Sequence, residues 1–91
     1  MTTEQMQYLQ AVFQEGSLSA AARNLGLSQS TMSKSLQSLE KELGVSLFVR
    51  IRGRLIPTSQ GYAVLDMAQK ICSLQEQMSE RISALRTETG R

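Results

Sequence analysis

The stretch Ser17-Leu18-Ser19-Ala20-Ala21-Ala22-Arg23-Asn24-Leu25-Gly26-Leu27-Ser28-Gln29-Ser30-Thr31, continued to Gly44, decides the fold. Its first part opens with a hydroxyl suited to capping a helix and carries alanines small enough for a second helix to cross closely. Gly26 and Leu27 supply a short bend, and Ser28 is placed to accept hydrogen bonds from the free amides of the next turn. Two helices meeting at so tight a junction read as a helix-turn-helix, an arrangement that pushes its second helix into a DNA groove.

Plotted at about 100° per residue from Gln29, the second helix divides into two arcs. Met32, Leu36, Leu39 and Leu43 form a narrow apolar stripe expected to face the core. Gln29, Ser30, Ser33, Lys34, Gln37 and Lys41 fill the other arc, with no apolar or acidic residue among them. Glutamine pairs bidentately with adenine, serine donates or accepts at any base, and lysine reaches guanine acceptors or the backbone. The candidate DNA contacts of a recognition helix over 29–42 are therefore Gln29, Ser30, Thr31, Ser33, Lys34 and Gln37. Glu40 projects to the same side and would repel phosphate, but it lies in the last turns, away from the helix start that reads bases.

A polar outer face alone is what any amphipathic surface helix shows. The segment that follows shifts the balance. After Gly44, a fitting helix C-cap, the chain turns apolar and basic from Val45 to Pro57, which predicts a β-hairpin with Gly53 at its tip and Pro57 closing an edge strand. Arg50, Arg52 and Arg54 alternate with Ile51, Gly53 and Leu55, so one strand face is expected to be basic and the other apolar. A hairpin tipped with arginine beside a recognition helix is a wing, with guanidinium groups suited to phosphate and to the narrow minor groove of AT-rich DNA. The alternative is a solvated charged hairpin that blocks edge aggregation.

The motifs Leu18-Ser19-Ala20-Ala21-Ala22, Leu27-Ser28-Gln29, Leu39-Glu40, Leu43-Gly44-Val45-Ser46-Leu47-Phe48 and Pro57-Thr58-Ser59-Gln60-Gly61, with Leu25, Ser33 and Arg50, together resemble the amino-terminal winged helix-turn-helix of LysR-type transcriptional regulators. The resemblance spans nearly the whole chain. It implies a mainly α fold of three helices plus a β-hairpin wing, followed by a long dimerisation (linker) helix. It also implies that Gln29, Ser30, Ser33 and Lys34 meet the major groove and that Arg50, Arg52 and Arg54 serve the wing. Ser30 stands where many members have proline, Thr31 where alanine is usual and Lys34 where arginine is common. Lysine lacks the arginine fork, so a phosphate or single-base contact is expected at Lys34. The implied partner is double-stranded DNA, as an interrupted AT-rich palindrome. A small-molecule effector would act only through a carboxy-terminal domain that is missing from this chain.

From Thr58 to about Glu88 the sequence predicts one long helix capped by Thr58, some 28 residues spanning about 42 Å. A compact head of about 60 residues has a radius of gyration near 10 Å, so the helix overshoots its own domain. Val64, Ile71, Met78 and Leu85 recur seven apart, supported by Met67 and Leu74; Arg81 interrupts the second position and Ile82 takes over. With Ala68, these are the expected dimerisation residues of a homodimer in which two such helices cross or run antiparallel. The alternative is that the stripe packs on a domain outside this chain. The expected organisation is a head at 1–58, a linker helix at 59–88 and a tail at 89–91.

In the first helix, Thr2 and Gln5 have capping-box spacing, Met6, Leu9 and Phe13 supply the apolar stripe, and Gly16 follows the end; Tyr8 and Val12 extend the stripe toward the long helix. The net charge of the 91 residues is only +2. It is unevenly placed: between Ser28 and Arg54, Lys34, Lys41, Arg50, Arg52 and Arg54 outnumber Glu40 and Glu42. That imbalance predicts salt-sensitive binding to a polyanion. With no histidine and one cysteine, Cys72, the chain lacks the usual base, nucleophile and metal ligands of an enzyme, and neither a cofactor nor a metal is expected. A cytoplasmic location and no membrane partner are expected from the lone cysteine and the lack of an apolar span or leader. The rival functional reading is a protein-interaction module in which the long helix is the working surface.

Overall fold

The computed structural model describes residues 1–88, the last two by backbone alone; the expected tail at 89–91 lies outside the described residues. Its elements are α1 (Thr3–Glu15), α2 (Leu18–Leu25), α3 (Gln29–Leu43), β1 (Phe48–Ile51), β2 (Arg54–Pro57) and α4 (Ser59–Glu88). Local chemistry sets nearly every boundary. Thr2 and Gln5 form the complete capping box of α1. Ser17 and Ser28 cap α2 and α3 by accepting from the backbone N–H three residues on, at 3.3 and 3.0 Å. The three helices end on Gly16, Gly26 and Gly44, each at a φ near +70° that a Cβ would disfavour.

The core lies where α1, α2 and α3 meet the first turns of α4. Leu9, Val12, Met32, Leu39 and Leu47 are its largest fully buried side chains, joined by Met6, Ala21, Ala22, Leu36, Leu65 and Ala68. Ala21 and Ala22 allow the close crossing predicted for α2. Two stripe assignments are corrected. In α1 it is Val12 that is fully buried, whereas Phe13 sits at the surface and packs edge-on against Tyr62 at 5.5 Å. In α3, Leu43 is exposed, because the last turn runs past the helices that cover Met32, Leu36 and Leu39.

β1 and β2 pair antiparallel, with Phe48 opposite Pro57, Val49 opposite Ile56, Arg50 opposite Leu55 and Ile51 opposite Arg54. This register overturns the expected division into a basic and an apolar face. Paired residues share a face, so Arg50 lies with Phe48, Leu55 and Pro57, while Arg54 lies with Val49, Ile51 and Ile56. The turn at Arg52-Gly53 separates the strands by two residues, and the strict alternation read through it does not survive the reversal of direction.

α4 carries 30 residues, about 45 Å of helix. The molecule is 56 Å long with a radius of gyration of 15.7 Å, against about 12 Å for a compact chain of this length. Only the first turns of α4 belong to the core. Among the described residues, no helix is long and apolar enough to cross a membrane.

Candidate nucleic-acid interface

The junction between α2 and α3 is fastened by backbone groups. The N–H of Leu27 donates to the Ala22 carbonyl at 2.8 Å, and that of Gly26 to the Arg23 carbonyl at 3.2 Å, so the last turn of α2 closes on itself. Ser28 then begins α3. Its hydroxyl accepts from the Thr31 N–H at 3.0 Å and donates to Thr31 Oγ1 at 2.9 Å, which leaves the Thr31 hydroxyl proton directed away from Ser28. The first turn of α3 thus presents free backbone amides and a run of short polar side chains, a surface complementary to an anion.

Gln29, Ser30, Thr31, Lys34 and Gln37 are exposed and Ser33 is half-buried, on the side of α3 opposite its core stripe. Both acids of this helix are occupied elsewhere. Glu42 forms a 2.6 Å ion pair with the ammonium of Met1, and Glu40 Oε2 accepts from the Leu47 N–H at 2.7 Å. Among the described residues, Lys34, Lys41, Arg50, Arg52 and Arg54 have no carboxylate within ion-pair distance. These cations thus have no paired acid, whereas Glu42 is neutralised by the Met1 ammonium and the Glu40 carboxylate is tied to a backbone amide.

The hairpin stands beside α3. Ser33, Leu36, Gln37 and Glu40 from the helix and Phe48, Arg50 and Leu55 from the strands line one crevice of about 170 Å³. Its polar lining is Ser33, Gln37, Glu40 and Arg50, beside apolar Leu18, Leu36, Phe48 and Leu55, so the recognition helix and the wing share one surface. The wing is held to the rest of the head by the Leu55 N–H, which donates to the Gly16 carbonyl at 3.3 Å.

The three arginines are not equivalent. Arg52 is at the hairpin tip with a φ of +52°, the only non-glycine residue in the left-handed region among those described. Arg50 borders the crevice. Arg54 folds back, its guanidinium lying where a Cβ on Gly16 would meet it at 2.8 Å. It thus covers the junction between α1 and α2 rather than extending the tip.

The expected pairing face of α4 is divided as well. Ala68 is fully buried in the head and Val64 is half-buried against the core, because α1 covers that side of the helix; Leu65, which the seven-residue pattern passes over, is buried with them. Ala68 is therefore a core residue and not a surface one. Met67, Ile71, Leu74, Met78, Ile82 and Leu85 are exposed, with Leu74 63% and Met78 62% accessible. Their spacing of three and four residues keeps them on one stripe along the part of the helix that leaves the head. Cys72 is half-buried, and its Sγ accepts from Gln10 Nε2 at 3.3 Å.

Comparison with known proteins places this architecture. The sequence profile of the bacterial regulatory helix-turn-helix proteins of the lysR family matches residues 3–62. The chain is 41% identical over 83 residues to the probable HTH-type transcriptional regulator LrrA of Synechococcus elongatus, covering 91% of this chain and 28% of that protein. It thus spans under a third of the length of the curated relatives it matches. Its structure resembles the crystal structure of a CbnR DBD–DNA complex, with a TM-score of 0.89 and 34% identity over 94% of this chain and 99% of that one. A BenM DBD crystallised with catB site 1 DNA gives a TM-score of 0.90 and 30% identity over 94% of this chain and 96% of that one.

Proposed function

The chain belongs to the LysR family of bacterial regulatory helix-turn-helix proteins, and on that premise we propose that it binds duplex DNA sequence-specifically as a homodimer and regulates transcription. The observation that carries this reading is the shared crevice, in which Ser33 and Gln37 of α3 and Arg50 of the hairpin line one surface, so that the exposed side of α3 and the wing lie side by side. Gln29, Ser30, Thr31, Ser33, Lys34 and Gln37 would enter the major groove, Ser28 having fixed the first turn that carries the leading residues. Arg52 would reach the flanking phosphates or minor groove from the hairpin tip, with Arg50 on the nearer backbone; Arg54 is placed for a lesser part.

The second copy is proposed to pair along Met67, Ile71, Leu74, Met78, Ile82 and Leu85. Among the described residues nothing covers this exposed apolar stripe, which runs for several turns. A similar stripe on an identical helix, crossing or antiparallel, matches it in length and chemistry. Two heads at opposite ends of such a pair suit a two-fold target, so the proposed site is an interrupted, AT-rich palindrome with one arm per head.

The test is fluorescence anisotropy of the 91-residue chain on an AT-rich interrupted palindrome and on a shuffled duplex, each titrated with salt. Tighter binding to the palindrome at a similar salt slope is expected, because phosphate contacts set the slope and base contacts set the difference. Lys34→Ala should weaken binding to both duplexes and lower the salt slope by about 0.9 per head if lysine meets phosphate. No binding to either duplex at moderate salt would refute the DNA reading.

A further inference from the structure

Resting on the DNA reading above, we propose that Glu40, Leu47 and Thr58 form a hydrogen-bonded clasp that fixes the direction of α4 relative to the recognition helix. Glu40 is thereby a positioning residue for the spacing at which two heads read DNA. An acid on the groove-facing side of α3 is otherwise at odds with a polyanionic ligand. Its carboxylate is bound inward, where Oε2 accepts from the Leu47 N–H at 2.7 Å.

Leu47 is the node. Its side chain is fully buried in the loop between α3 and β1. Its carbonyl accepts from the Thr58 N–H at 2.9 Å. Thr58 completes the link: its hydroxyl donates to the Ser46 carbonyl at 2.6 Å and accepts from the Gly61 N–H at 2.9 Å, capping α4. Gly61 comes so close that a Cβ there would overlap the Leu47 carbonyl oxygen. The last turns of the recognition helix and the first turn of α4 are therefore tied to the two faces of a single residue's backbone.

α4 is otherwise held along α1, where Tyr62 packs on Phe13, Leu65 and Ala68 enter the core, Cys72 Sγ accepts from Gln10 Nε2 at 3.3 Å and Gln75 Nε2 donates to Thr3 Oγ1 at 2.9 Å. That seam sets α4 against α1, whereas the clasp ties α4 directly to the end of the recognition helix, so loosening it frees the α1–α4 pair to tilt against α3. The helix magnifies any change: over about 45 Å, a tilt of about 5° displaces the far end by about 4 Å. That exceeds the roughly 3.4 Å of helix axis that one base pair occupies. In an antiparallel pair the second head sits near that far end, so a loosened clasp changes which half-site separation the dimer fits.

The experiment compares the wild-type chain with Glu40→Gln and Glu40→Ala. Both variants lose the same charge, but only glutamine keeps an acceptor oxygen for Leu47. The probes are the AT-rich palindrome, the same duplex with its centre lengthened or shortened by one base pair, and a duplex carrying one arm. Glu40→Gln should keep the wild-type preference for one spacing. Glu40→Ala should bind the one-arm duplex within about twofold of Glu40→Gln, yet discriminate between spacings roughly tenfold less. Identical spacing profiles for the two variants would overturn the clasp, as would a loss of one-arm affinity in proportion to the loss on the palindrome. If Glu40→Ala does not fold, Thr58→Ser against Thr58→Val poses the same question, since serine keeps both side-chain hydrogen bonds and valine keeps neither. A wild-type chain that binds no duplex overturns the DNA reading and the clasp together. A wild-type chain that binds, with variants that leave spacing unchanged, overturns the clasp alone.

Discussion

Replacing Arg52 with asparagine should stabilise the protein and weaken its grip on DNA. Arg52 and Gly53 form the two-residue connection between Ile51 and Arg54, with φ of +52° and +78°. Positive φ at both central positions defines a type I′ turn, for which Asn-Gly is strongly favoured. An ordinary side chain in this region costs roughly 1–2 kcal/mol, a penalty that asparagine largely escapes. Arg52→Asn should therefore add about 1 kcal/mol of stability and raise Tm by roughly 4–8 °C. Backbone strain retained at an exposed tip points to a side chain kept for another purpose. If that purpose is a phosphate contact, each head loses about 0.9 from its salt slope and the dimer about 1.8; near 0.1 M salt this is roughly tenfold in affinity per head. Thermal unfolding and salt-titrated anisotropy on one preparation, at one protein concentration, give both quantities. Arg52→Asn that melts higher and binds DNA as well as wild type would refute the role given to the tip arginine. A variant that melts lower would refute the account of the turn.

Two further outcomes follow from packing. Leu74→Asp places a charge in the middle of the exposed stripe of α4, beyond the core, so the head should keep its fold while the dimer dissociates; sedimentation equilibrium should show a monomer, and a persisting dimer would place the interface elsewhere. Gly61→Ala puts a methyl against the Leu47 carbonyl, which belongs to the backbone and cannot swing aside. A loss of about 1–3 kcal/mol or more in urea unfolding is expected, and a neutral result would mean that α4 and the 44–47 loop shift apart more easily than their shared hydrogen bonds imply.

How much of this molecule can be read from its sequence depends on the range of the interaction. The caps at Thr2, Ser17 and Ser28 and the left-handed glycines at 16, 26 and 44 need only the next three or four residues to act. Those signals fall in the right places and give the helix order without tertiary information. Which of two adjacent apolar residues faces inward is a different question. Val12 rather than Phe13 enters the core because of where α2 and α4 cross α1. Leu43 stays out because the elements covering α3 stop short of its last turn, while Leu47, in an irregular loop with no period, is fully buried. In α4 the heptad was legible, yet Val64 and Ala68 are taken by the packing against the chain's own first helix. The recognition residues on α3 could be listed from a helical wheel because the wheel is a property of one element. The role of Glu40 could not, since its partner is an amide seven residues away, across a helix end and a turn. The same holds for the wing, where two turn residues reverse the chain and carry Arg50 and Arg54 to opposite faces. Local chemistry thus delimits the parts of the interface, and its assembly into one surface depends on contacts that a linear pattern does not encode.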